Sequence, residues 1–291
     1  MMLFEEAIAF YLHWKKQRGK GVERDEYSLK RLVPHFAGKG LREIRRRDVR
    51  AYVDVRLSES AAPATVNREL KLPSAAVNIV RVELEVELPN PFEAVGLSEG
   101  EGRVRWISRQ EATALVLAAR GRWPHLSSFI ELGLNTGCRR NELLALEWRR
   151  VDVDRGLLLF EARHTKSRRR RTVPLNDAAR RALDRLRDWV GLHAPGSPWV
   201  FGRPGGGRLQ TVQKGFKAAC ERAGVEDFRV HDLRHTCASW LVMAGVSLYV
   251  VRDLLGHSSI TVTERYAHLA PEQVREAVQL ILPLTQVLEN T

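Results

Sequence analysis

The stretch His231-Asp232-Leu233-Arg234-His235, continued by Leu255-Gly256-His257 and closed by Tyr266, decides how this chain is read. Leu233, Cys237, Trp240, Leu241 and Ala244 recur at i, i+4, i+7, i+8 and i+11, one apolar stripe of a helix. That phasing turns His231 and His235 away from the stripe and sets Arg234 on its flank. Gly245 is placed to end this helix, and Gly256 to end a second one over Ser247 to Leu255, so His257 emerges at a helix end. Nine residues on lies Tyr266, in a segment that Thr261 and Glu264 are spaced to open as a capping box.

The residue types suit phosphoryl transfer. A phosphodiester under attack passes through a five-coordinate, highly charged species that fixed donors stabilise best. Arg234 offers a planar fork matched to non-bridging oxygens two at a time. His231 and His257 exchange protons near neutral pH. Tyr266 is the one nearby hydroxyl of nucleophile type with no evident core role. Its phenol, with a pKa of about 10, needs cations or a base to act.

Two upstream motifs extend the pattern: Thr136-Gly137-Cys138-Arg139-Arg140-Asn141-Glu142-Leu143-Leu144, and Thr165-Lys166 followed by Thr172-Val173-Pro174-Leu175. With His231-Asp-Leu-Arg234-His235, Leu-Gly256-His257-Ser-Ser and Tyr266-Ala-His268, the chain resembles the tyrosine recombinases of the lambda-integrase and Xer type. The resemblance implies a mainly α fold with a small antiparallel β-hairpin or sheet: an N-terminal all-α, SAM-like core-binding domain and an α+β catalytic domain. It implies a site-specific DNA recombinase, with Tyr266 as nucleophile forming a 3′-phosphotyrosyl link. Arg139, Arg234 and His257 would hold the developing charge, Lys166 would act as general acid, and His231 as acid or base. Glu142 would orient Arg139, and His235 would support the site. Arg168, Arg169, Arg170 and Arg171 would clamp DNA phosphates. The expected partners are duplex DNA and three further copies in a tetramer on two duplexes, with room for a paralogous recombinase or accessory proteins. No metal, ATP or other cofactor is called for. Cys138 and Asn141 depart from the family's usual aliphatic and small residues, and the surroundings of Pro73 match poorly.

Composition agrees. A formal charge of +12 over 291 residues and a pI of 10.1 point to a polyanionic partner, nucleic acid before an anionic membrane surface. No apolar run is long enough to span a bilayer, and Glu5 and Glu6 spoil a signal-peptide reading. Three cysteines without CxxC spacing argue against a disulfide framework and for a reducing cytoplasm.

Taken in order, residues 3–17 read as an amphipathic helix with Phe4, Ile8, Tyr11 and Leu12 inward. A second carries Tyr27, Leu32, Val33 and Phe36 and stops at Gly38. Asp48 reads as the N-cap of a third, with Val49, Tyr52, Val53 and Leu57 apolar. From Thr65 to Leu88 the residues leave two readings open. Pro73 should break or kink a helix, and Val82, Leu84, Val86 and Leu88 alternate like a strand, while the family resemblance implies a helix, and helix is the expectation taken. The domain expectation is 1–95, a polar linker at 96–104, and 105–291. Ser108-Arg-Gln-Glu111 forms a capping box at the start of the second domain. Leu157–Phe160 and Thr172–Leu175 read as a hairpin, helices follow at 177–190 and 211–223, and 271–284 would be a C-terminal helix that docks on a neighbouring protomer.

Blander readings compete at each position. Alone, Arg139 is a surface arginine with Glu142 as an inexpensive i+3 partner, and Lys166 a solvated hairpin lysine. His231 and His235 at i, i+4 have a zinc-binding spacing, which would suit a hydrolase. Asp232 stands where a metalloprotease needs Glu, however, and Arg234 would repel a dication. A type IB-like topoisomerase would use the same chemistry without strand exchange. A catalytically silent DNA-binding accessory protein would share the charge, but the intact set of reactive groups argues against it.

Overall fold

The computed structural model describes residues 2–100, 103–121, 123–161, 170–270 and Val278. Over these the chain is mainly helical with one three-stranded antiparallel sheet, the fold class expected. It divides into two units, Met1–Gly102 and Arg103–Thr291.

The first unit is built from α1 (Phe4–Gln17), α2 (Glu23–Phe36), α3 (Arg46–Ser58) and α4 (Pro63–Glu83). Its core collects Phe4, Leu32, Phe36, Val49, Tyr52, Val66 and Val77, each buried. Several details depart from the sequence reading. In α2 the buried positions are Ser28, Leu32 and Phe36, one i, i+4, i+8 row, whereas Tyr27 and Val33 face solvent. Asp48 is not the N-cap of α3. Arg45 is, and the Asp48 carboxylate three residues on accepts the Arg45 backbone N–H at 2.8 Å. Helix α4, the helix that the resemblance implied, runs unbroken through Pro73 against the break that this proline by itself suggests, and Val82, Leu84 and Val86 are exposed. Proline deletes one backbone donor. Here Leu72, Pro73, Ala76, Val77 and Val80 bury one continuous face, and that burial outweighs the lost bond. Across the α3–α4 contact, buried Glu69 accepts from Tyr52 Oη at 2.7 Å and from Arg56 Nε and Nη2, each at 2.9 Å.

The second unit opens on the capping box expected at Ser108: its Oγ accepts from Glu111 N at 3.1 Å, and Glu111 Oε2 accepts from Ser108 N at 2.7 Å. Helices α5 (Arg109–Ala118), α6 (His125–Thr136) and α7 (Arg140–Leu144) follow, then strands β1 (Val151–Asp152), β2 (Leu157–Phe160) and β3 (Arg171–Pro174) in the order β1-β2-β3. The hairpin pairs Leu158 with Val173 and Phe160 with Arg171, so β3 starts one residue earlier than expected. The chain continues as α8 (Asp177–His193), α9 (Gln213–Ala223), α10 (Asp232–Met243), α11 (Leu248–Leu255) and the single turn α12 (Thr261–Glu264). Phe129, Ile130, Leu143, Leu158, Leu186, Phe201, Phe216 and Leu233 are the centre of one core. Gly133 admits α10 closely: a Cβ there would lie 3.0 Å from Leu233 Cδ1. The contact lays the first turn of α10 along α6.

Two expectations about this C-terminal region need correction. The α10 stripe is wider than the phasing gave, because Asp232 through Ser239 are all buried while Ala244 is exposed. One side of α10 packs on α6; Ala238 and Val242 on the other face Val251, Leu255 and Tyr266. The Thr261–Glu264 capping box does not form: Ile260 is the N-cap, and Thr261 N donates to Ser259 Oγ. The expected helix at 271–284, Val278 apart, lies outside the described residues.

Candidate active site

Three local devices build the site. Gly137 ends α6 in the left-handed region, φ 61°, and turns the chain so that Arg139 becomes the N-cap of α7. Glu142, three residues on, reaches back: its Oε2 accepts from Arg139 N at 2.8 Å and its Oε1 from Arg139 Nη1 at 2.9 Å. Thus the i+3 pair that looked like a surface ion pair also locks the first turn, and the Glu142 side chain is only 4% exposed.

Gly256 ends α11 likewise at φ 67°, and at the other end the Ser247 Oγ accepts from Val250 N. The carbonyl of Gly256 accepts from Arg139 Nη2 at 3.2 Å, and that of Leu255 accepts from Arg171 Nη1. Arg171 Nη2 also reaches Glu142 Oε2 at 2.7 Å. Arg171, expected as a phosphate clamp, is instead engaged inside the site here. Its side chain is 7% exposed, because the β2–β3 register turns it inward beside the Phe160 ring. Arg170 stays exposed. Lys166, Arg168 and Arg169 lie outside the described residues.

The third device is the buried first turn of α10. Arg234 Nη1 donates to the Gly137 carbonyl at 2.7 Å, and Nη2 is buried without a hydrogen-bond partner among the described residues. Burial, then repulsion from Arg139 and Arg171, pushes its pKa down to about 9, which leaves it charged at neutral pH. A buried guanidinium with a free donor is costly unless an anion arrives. The α10 turn is itself fixed by Asp232, whose Oδ2 accepts from Arg229 N and from Arg103 Nη2, both at 2.8 Å.

The histidines and the tyrosine close the set. His231, exposed at the N-cap of α10, stands edge-on to His235 with ring centres 5.0 Å apart. Partial withdrawal of its ring from water, then the nearby Arg234, lower its pKa. His257 Nδ1 shares a 2.9 Å hydrogen bond with the buried Thr263 hydroxyl, and burial together with Arg234 and Arg139 drives its pKa down to about 3. Tyr266 is 1% exposed, its Oη hydrogen-bonded to His235 Nδ1 at 2.6 Å. Burial pushes the phenol up to about 12, against the pull of Arg234 and Arg265. His235, which the phasing had turned outward, is buried and held down at about 4, so it is a neutral imidazole at pH 7.

The fold thus gathers Arg139, Glu142, His231, Arg234, His235, His257 and Tyr266 from four separated segments. It places Arg171 inside the site and adds two groups the sequence reading passed over: Thr263 on His257, and Arg265, whose charge bears on all three histidines. Arg265 could have been noticed from its place directly before Tyr266; Thr263 carried no such signal. Among the described residues no three His, Cys, Asp or Glu side chains are grouped to hold a metal ion. No described helix is long and apolar enough to cross a membrane.

Residues 105–273 match the Phage integrase family. The integrase of Salmonella phage P22 is 30% identical over 96% of this chain and 80% of its own length. The tyrosine recombinase XerD of Bifidobacterium longum is 26% identical over 94% of this chain and 87% of its own. Among solved structures, a lambda integrase tetramer bound to a Holliday junction superposes with a TM-score of 0.72, covering 90% of this chain and 79% of that one at 22% identity.

Proposed function

The chain belongs to the phage integrase family and is a tyrosine site-specific recombinase, and from that premise we propose how its own residues divide the work. The observation that carries the assignment is Arg234: a buried guanidinium beside Arg139, with Nη1 on the Gly137 carbonyl and Nη2 without a hydrogen-bond partner among the described residues. Such a donor suits a non-bridging phosphate oxygen. Arg139, aimed by Glu142, supplies the second fork, and His257 adds a neutral donor.

In the proposed reaction Tyr266 Oη forms a bond to phosphorus while the bond from phosphorus to the 5′ oxygen breaks. The phenol's proton passes to an imidazole, His231 or His235. By the motif resemblance, Lys166 delivers a proton to the leaving 5′ oxygen. The phosphodiester energy is stored in the 3′-phosphotyrosyl bond, so the 5′ hydroxyl of another strand can reverse the step with no nucleotide consumed. The Tyr266 hydroxyl is bonded to His235 in this structure, so attack requires it to leave that partner.

Duplex DNA is the proposed substrate, and the charge of +12 supports it, with exposed Arg42, Arg45, Arg46, Arg47 and Arg50 in the first unit and Arg170 in the second. The tetrameric lambda assembly supports an oligomer of this chain on DNA. The residues expected at 271–284 would supply its contacts.

The test is covalent trapping. The purified protein is mixed with a library of nicked duplexes in which cleavage releases a short fragment, and the trapped DNA is sequenced. Tyr266→Phe should abolish the adduct while duplex affinity changes little. Adducts that persist at wild-type yield would reassign the nucleophile.

A further inference from the structure

Arg171 is turned inward, where both terminal guanidinium nitrogens are hydrogen-bonded to groups of the site. We propose that Arg171 is a positioning residue for strand transfer, bracing the Glu142 carboxylate with one guanidinium nitrogen and the end of α11 with the other. This rests on the assignment of Arg139 and His257 to the phosphate pocket.

The geometry is two-sided. Nη2 lies 2.7 Å from Glu142 Oε2, the oxygen that also accepts from Arg139 N, so the carboxylate is held from two directions and keeps Oε1 for the Arg139 side chain. Nη1 donates to the Leu255 carbonyl, next to the Gly256 carbonyl that takes Arg139 Nη2. Two arginines therefore clasp the Leu255 and Gly256 carbonyls at the C-terminal end of α11, where the helix dipole is negative, and the residue that follows is His257. If Arg171 shifts, Arg139 loses its aim and His257 its anchor together.

Lysine cannot replace it, because one ammonium on a flexible stem does not span two acceptors in fixed directions. Gly256 is matched to the brace. A Cβ there would lie 2.6 Å from Arg171 Nη1 and 2.9 Å from its Cδ, so this glycine leaves room for the guanidinium as well as adopting φ 67°. Arg171 also heads β3 and is the last residue of the basic run that begins at Lys166.

The test uses full-length protein and a nicked duplex recovered by the trapping selection. Arg171→Ala and Arg171→Lys should each slow single-turnover adduct formation at saturating duplex by roughly ten- to a hundredfold, the scale of a small misplacement of a reacting group. Duplex Kd should stay within about threefold. The slope of log K against log salt should not change, whereas loss of a phosphate contact lowers it by about 0.9. Thermal melting monitors folding, and if the alanine variant does not fold, the lysine variant decides. Adduct formation within twofold of wild type overturns the proposal, and so does weaker binding with a reduced salt slope, which would return Arg171 to the phosphates. A wild type that traps no duplex would overturn the recombinase assignment beneath it, a result distinguishable from either.

Discussion

Replacing Glu142 by Gln should damage stability and chemistry together. The Glu142 side chain is 4% exposed and faces the Arg139 and Arg171 side chains, which are 22% and 7% exposed. Removing one partner from a buried ion pair costs about 3–5 kcal/mol, because the remaining charge is left uncompensated. Two features favour the low end: Arg139 is partly hydrated, and glutamine keeps one carbonyl oxygen for a single donor. About 3 kcal/mol is the working figure. For a unit the size of Arg103–Thr291, each kcal/mol moves the melting temperature by about 2–4 °C, giving a fall of roughly 6–12 °C. The loss also makes the pocket more cationic, so duplex affinity should hold while the adduct rate drops, since Arg139 is no longer aimed. Circular-dichroism melts and urea midpoints measure the first effect; fluorescence anisotropy and gel-resolved trapping measure the second. A melting temperature within 2 °C of wild type, with an unchanged adduct rate, would show that this carboxylate is not what organises the site.

The buried histidines set a pH dependence. His235, held at about 4 in the folded state, binds fewer protons there than in the unfolded chain below about pH 6.5, so stability should fall as pH drops from 6.5 toward 4. The His235 contribution is roughly 3 kcal/mol across that window, His257 acts in the same direction, and His235→Phe should flatten the profile of urea midpoint against pH. Gly256→Ala forces a Cβ into the left-handed region and against Arg171, which should cost about 1–3 kcal/mol by urea unfolding; an unchanged midpoint would mean the α11 end yields freely. Duplex binding should weaken with salt by about 0.9 in log K per log unit for each phosphate contacted, and salt-indifferent binding would remove DNA as the partner.

Much of this was legible along the chain. Capping at Ser108, the helix-ending glycine at 256, the β2–β3 hairpin and the spacing of the basic motifs are local signals, decided by neighbours within a few residues. Helix phasing also located α10, but it reports only one face. It missed that Asp232–Ser239 are enclosed on both sides, because the second cover comes from α11 and the segment around Tyr266, well downstream in the chain. For the same reason Pro73 read as a breaker: a lost hydrogen bond is visible in the sequence, and the apolar face that outweighs it shows only when α4 is packed.

The sequence by itself determined which chemical groups the protein owns and the order in which they occur, since arginine forks, imidazoles and a phenol are fixed by residue identity. Tertiary structure alone decided their use. It turned Arg171 inward to share Glu142 with Arg139, left one nitrogen of Arg234 unpaired among the described residues, and set the Tyr266 hydroxyl on His235. Charge and hydrogen-bond energies vary steeply over a few ångströms, and distances between residues far apart along the chain exist only once it has folded.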